Sequence, residues 1–164
     1  MRRIALLCVL FACKTPPKQG TTVIEPVSQA EKSHLEQIHH SFLRRETWSC
    51  PTQVQFGFDP TPHLFVLAET VEMPPWVAIR SAACAVRHAH ETGQAFFEKW
   101  IQTIAWAGLG RVVLSELDAL PEEKAVALTR LALESELQAY ATKTLKDSKY
   151  ERVRQLVGVS LHTP

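Results

Sequence analysis

The sequence predicts an all-α domain of short antiparallel helical hairpins, packed as a stack or a small irregular bundle. Three observations carry this expectation. From Ser28 onward, apolar residues recur mostly at helical spacing of three and four. Proline, glycine and capping residues punctuate that pattern every ten to twenty residues or so. One stretch alone, Gln53-Val54-Gln55-Phe56-Gly57-Phe58, alternates polar and apolar as a strand would, and it has no evident partner strand.

The elements follow in order. Ser28-Gln29-Ala30-Glu31 fits a capping box, and Leu35, Ile38 and Phe42 then share one face, so residues 29–46 read as an amphipathic helix. Trp48-Ser49-Cys50-Pro51 ends it, and residues 53–58 read as a short extended segment. Asp59-Pro60-Thr61-Pro62 opens a helix through Leu64, Leu67 and Val71. Pro74-Pro75 begins the next, over about 75–91, closed by Thr92-Gly93. Phe96, Phe97, Trp100, Ile101 and Ile104 line the face of a fifth segment, after which Gly108 and Gly110 read as a break. A shorter helix carries Val113, Leu114 and Leu117. Pro121-Glu122-Glu123 starts another, with acids in the first turn, running to about Lys146. Ser148-Lys149-Tyr150-Glu151 reads as a second capping box, before a last helix through Val153, Leu156, Val157 and Leu161.

The first residues follow a different logic. Met1-Arg2-Arg3 is basic, Ile4–Phe11 is an apolar run far below the ~20 residues that span a bilayer, and Leu10-Phe11-Ala12-Cys13 closes it. An ordinary secretory signal or a buried first helix would share the first two features. The whole order resembles the bacterial lipobox, with an aliphatic residue at −3, a small one at −1 and the cysteine that becomes the lipidated N-terminus. The resemblance implies residues 1–12 as a lipoprotein signal peptide, Cys13 as the lipidation site carrying palmitate-type acyl chains, and a membrane held through that lipid. It also implies a place in the bacterial cell envelope. Lys14 after the cysteine, being non-acidic, points within that family to the outer membrane facing the periplasm. Residues 13–27, polar and proline-containing, then form a tether, and 28–164 the helical domain.

Within the domain, Ile79-Arg80 and Val153-Arg154 share a hydrophobic-Arg pair followed by small or apolar residues. This resembles the second helix of a HEAT repeat, over about residues 60–161, with 111–134 as a degenerate middle repeat. The resemblance implies Ile79 and Val153 buried at equivalent places, with Arg80 and Arg154 directed toward neighbouring hairpins.

Composition limits the function. Without Arg2 and Arg3 the 18 basic residues fall to 16 against 17 acidic ones, a near-neutral balance that argues against nucleic acid. No Gly-rich phosphate loop and no G-x-S-x-G elbow occur, and no cofactor is expected. Glu122-Glu123 and Glu134-Ser135-Glu136 are paired acids that first-turn and solvated positions explain. Cys84 and His88, with Cys50 or His90, offer an incomplete metal set lacking any C-x-x-C or H-E-x-x-H spacing. The histidines His34, His39, His40, His63 and His162 look scattered and solvated.

Of four cysteines, Cys8 leaves with the signal and Cys13 takes the lipid. Cys50 and Cys84 remain as a possible disulfide in an oxidising compartment, the alternatives being two unpaired small hydrophobes or a reactive or metal-binding pair. A helical wheel sets Cys84 beside Arg80, Arg87 and His88, away from the apolar face. Trp48, Trp76 and Trp106 lie off the main apolar stripe, as caps or as an interface anchor.

No constellation for catalysis emerges, so the expectation is a non-enzymatic protein-binding scaffold for an envelope protein. The alternative is a pilotin-like lipoprotein escorting an outer-membrane secretion or pilus component, and an envelope enzyme comes third. A scaffold would present an extended surface, an escort an apolar groove, and an enzyme a deep polar pocket.

Overall fold

A computed structural model describes residues 28–43, 48–72, 74–89 and 91–160. The expected signal peptide, tether and lipidation site Cys13 lie outside these, as do His90 and His162. Among the described residues every regular element is helical: α1 (Gln29–Leu43), α2 (Gln53–Phe56), α3 (Thr61–Thr70), α4 (Pro75–His88), α5 (Gln94–Gln102), α6 (Ala107–Ser115), α7 (Glu122–Leu133), α8 (Gln138–Leu145) and α9 (Glu151–Ser160). Two single turns of 3₁₀ helix, Ile104–Trp106 and Leu117–Ala119, bracket α6.

The packing is two-layered. Hairpins α3/α4, α5/α6 and α7/α8 each pair consecutive helices, and helices α4 to α7 each also touch the one two places on. One layer runs α4–α6–α8 and the other α5–α7–α9. Side chains extend the second layer back to α3, where Phe65 stacks on Phe96 at 4.3 Å. Helix α1 closes the first end against α3 and α4. Between the layers lie Phe42, Leu64, Val77, Val86, Phe97, Trp100, Leu114, Leu128 and Val153, all essentially without solvent access. The expected all-α arrangement of short helical hairpins, as a stack or small bundle, therefore describes the molecule.

Local chemistry explains the boundaries. The Ser28 N–H donates to Glu31 Oε2 at 2.8 Å and the Glu31 N–H to Ser28 Oγ at 3.2 Å, which is the expected reciprocal cap. Asp59 caps α3, accepting from the Thr61 N–H at 2.9 Å. The segment 53–58, expected to be extended, is instead the one-turn helix α2. Thr52 Oγ1 accepts from the Gln55 N–H, and Gly57 closes the turn at φ 76°, a left-handed conformation that favours glycine. Its alternation does not mark a buried face, since Val54 faces solvent almost completely.

The glycines Gly108 and Gly110 do not break a helix; both lie inside α6. Gly110 is there for space, because a Cβ would stand 2.5 Å from the Trp100 carbonyl oxygen and 2.6 Å from Leu137 Cδ1. The chain breaks one turn earlier, at the 3₁₀ turn that turns Ile104 out to solvent instead of onto the α5 face. The expected long helix to Lys146 is interrupted at 134–137. Ser135 Oγ donates to the Ala132 carbonyl and accepts from the Leu137 N–H, competing with the helical ladder.

The second expected capping box also resolves differently. Ser148 Oγ donates to Asp118 Oδ1, and Asp118 Oδ2 accepts from the Lys149 N–H at 3.0 Å. Glu151 does not close the box; its Oε1 accepts from Gln155. A carboxylate thirty residues upstream thus does what a local one was expected to do.

Candidate protein interface

The hydrophobic-Arg resemblance fails at one of its two positions. Val153 is buried, whereas Ile79 is 49% exposed. The layering gives the reason: α4 and α9 lie in different layers, so their motifs are not in equivalent settings. Nor do the arginines match. Arg80 Nη1 donates to the Phe42 carbonyl at the end of α1, while Arg154 turns back onto the Ser148 carbonyl.

What Ile79 does is line an open groove of about 450 Å³ between α4 and α6, with Trp48, Arg80, Arg111, Val112 and Tyr140 around it. Two cation–π contacts organise its walls. The Arg80 guanidinium lies 5.2 Å from the Trp48 ring and that of Arg111 lies 5.6 Å from the Tyr140 ring. Trp48 in turn meets buried Phe42 edge-on at 6.2 Å. Tyr140 is fixed by a 2.8 Å hydrogen bond shared between its hydroxyl and Ser115 Oγ.

Cys50 and Cys84 form a disulfide, with Cα atoms 5.3 Å apart. Cys84 is wholly buried, not on a polar face: α4 has helices on several sides, and nearly all of residues 81–86 are inside. The bond ties the Trp48 loop to α4 one turn beyond Arg80, and so braces one wall of the groove. It also removes both thiols from any metal set, and among the described residues no three His, Cys, Asp or Glu side chains converge to hold an ion.

A second apolar surface lies between α3 and α5, a groove of about 440 Å³ lined by Pro62, Phe65, Val66 and Phe96, with Asp59 and Glu69 as its carboxylates. Glu69 is committed elsewhere: it accepts from Lys99 Nζ at 2.8 and 2.9 Å and from the buried Trp100 indole at 2.8 Å. Trp106, a possible exposed anchor on sequence grounds, is half-buried beneath Lys99 Nζ.

The paired acids do not acquire catalytic surroundings. Glu123 is ion-paired with Arg152, whose hydrogen bond and charge hold its carboxyl below the ordinary range, opposite to what a general acid needs at neutral pH. Glu134 and Glu136 are exposed beside a wide polar hollow at the α7–α8 turn.

The histidines are less scattered than their spacing suggests. His34 stacks on Phe58 at 3.7 Å, and His63 lies 5.5 Å from His34 and 5.6 Å from Phe58. This joins α1 to the start of α3, a juxtaposition across a turn that no local pattern could have announced. Burial, and then repulsion from His34, push His63 below its ordinary pKa, against the opposite pull of Glu31 and Asp59.

Searches of protein families, of curated proteins and of solved structures find nothing that matches this chain.

Proposed function

We propose that this chain is a lipid-anchored, non-enzymatic binding protein of the bacterial cell envelope, held through Cys13 on the outer membrane and facing the periplasm. Its domain holds a partner protein at the α4/α6 groove. The observation that carries the binding half is Ile79, a large aliphatic side chain left open between a tryptophan, a tyrosine and two arginines. Tryptophan, tyrosine and arginine are the residues that dominate protein–protein contact energies. The anchoring half rests on Leu10-Phe11-Ala12-Cys13, and the Cys50–Cys84 disulfide fits an oxidising compartment.

The pilotin-like reading, an escort for an outer-membrane component, draws support from the apolar α3/α5 groove with its stacked Phe65 and Phe96. It shares the anchor and differs in which groove is occupied.

The anchor is tested by intact mass of the protein extracted from membranes. The expected species begins at Cys13 and carries acyl mass, and Cys13→Ser leaves the precursor uncut or releases the protein from the membrane. A wild-type N-terminus elsewhere, without lipid mass, would sink this half of the reading.

A further inference from the structure

We infer that the α4/α6 groove takes a segment of a partner protein that lays an apolar side chain against Ile79 and a carboxylate against Arg111. This rests on the protein-binding reading and names what that partner must present.

The apolar half follows from the shape of the groove. Ile79 stands open, and the neighbouring Gly108 carries no side chain. A Cβ there would meet nothing within 4 Å, so the α6 wall is low beside Ile79. An incoming aliphatic or aromatic side chain would therefore remove apolar surface from water without displacing protein atoms.

The charge half follows from which groups are already committed. The groove's carboxylate, Glu116, is taken on both oxygens by Arg87, each at 2.8 Å. Arg80 is committed to the Phe42 carbonyl and the Trp48 ring, so its part is to hold that wall. Arg111 is different: exposed, it lies beside the Tyr140 ring at 5.6 Å and has no carboxylate partner among the described residues. A guanidinium held beside a ring by a cation–π contact keeps its N–H donors free for a carboxylate, which it can take in bidentate fashion. One such cation beside an aliphatic side chain suits an acidic-aliphatic peptide segment. It gives little to a polyanion, which needs clustered cations, or to a lipid surface, which needs a wider apolar area. The disulfide and the fixed Tyr140 mean the walls stand ready before the partner arrives, which lowers the ordering penalty of binding.

The test is photo-cross-linking with the full-length chain in living cells. A benzoylphenylalanine at Ile79 is the main probe. A second at Gly108 guards against misfolding at the first, and one at Val54, exposed and outside the groove, serves as control. We expect the groove probes, and not the Val54 probe, to join one protein segment with an Asp or Glu within a few residues of the adduct. Arg111→Glu should lower that adduct at least tenfold while leaving the melting temperature unchanged, and changing the partner's carboxylate to Lys should restore it. Adducts to lipid or to a second copy of the chain would overturn the inference. So would a segment without a carboxylate, indifference to Arg111→Glu, or no adduct at either groove probe. Because acylation of Cys13 is read separately by mass, failure here leaves the anchor standing. An adduct confined to a probe at Val66, in the other groove, would transfer binding to the escort reading.

Discussion

At Ile79 and Val153 two residues of the same kind, each followed by arginine, have opposite fates. The expected result of Ile79→Asp is a change in unfolding free energy within about 0.5 kcal/mol, because the side chain already meets water. Val153→Asp puts an unpaired carboxylate where there is no solvent, and should cost at least about 3 kcal/mol. Urea denaturation of the two variants checks this; equal losses would mean that Ile79 is inside after all. The pair also shows what a local pattern can convey. Phe97, Trp100 and Leu114 were legible as core because three-and-four spacing marks the inner face of a helix, and all three are buried. α4 is covered on several sides, so its wheel misplaced Cys84, and only tertiary neighbours could decide between Ile79 and Cys84.

At the scale of elements, two devices fasten α1 and the loops after it. The disulfide closes a span of 34 residues, and the chain-entropy argument makes it worth about 3–4 kcal/mol. The double variant Cys50→Ser/Cys84→Ser should lose about that much by denaturant midpoint, and a loss near zero would show that packing alone holds the Trp48 loop.

The second device is the His34–Phe58–His63 contact between α1 and α3. His63 has a depressed pKa in the folded domain, so the unfolded chain binds its proton first. Its contribution is therefore complete above the ordinary value of 6.5 and declines as pH falls from there through the lower folded value. Thr61 and Ser28 hold the carboxyls of Asp59 and Glu31 low, so theirs is lost only in stronger acid. Melting temperature should thus drop between pH 7 and pH 5, and His63→Gln should flatten that slope; an unchanged slope would exclude His63 as its source. The pairing of Cys50 with Cys84 was legible from an even count. The histidine contact was not, because it depends on α2 folding as a turn and bringing Phe58 back against α1.

For the whole molecule, helices α4 to α7 each touch the one two places on and lie between others, so order should be strongest in the middle of the domain and weakest at its ends. Native-state hydrogen exchange should find the slowest amides in α4, α5 and α6 and the fastest in α1 and α9. Slowest exchange in α9 would contradict that grading. The all-α class and most helix starts could be read from periodicity and punctuation, but α2 and the break between α7 and α8 could not. The two-layer arrangement could not, because it depends on close approaches such as Gly110 against the Trp100 carbonyl, which spacing does not encode.

The disulfide also sets the route by which a pull would travel through the domain. Tension entering at Ser28, as from a tether fixed to a membrane, would peel α1 and reach Cys50. There it would cross directly to Cys84 in α4, leaving α2 and α3 slack. Extended at about 3.3 Å per residue, the shielded span amounts to roughly 110 Å of contour length. An optical-tweezers trace of the oxidised domain should be shorter by that length than one taken in reductant, so the bond acts as a mechanical bypass for the segment from Cys50 to Cys84.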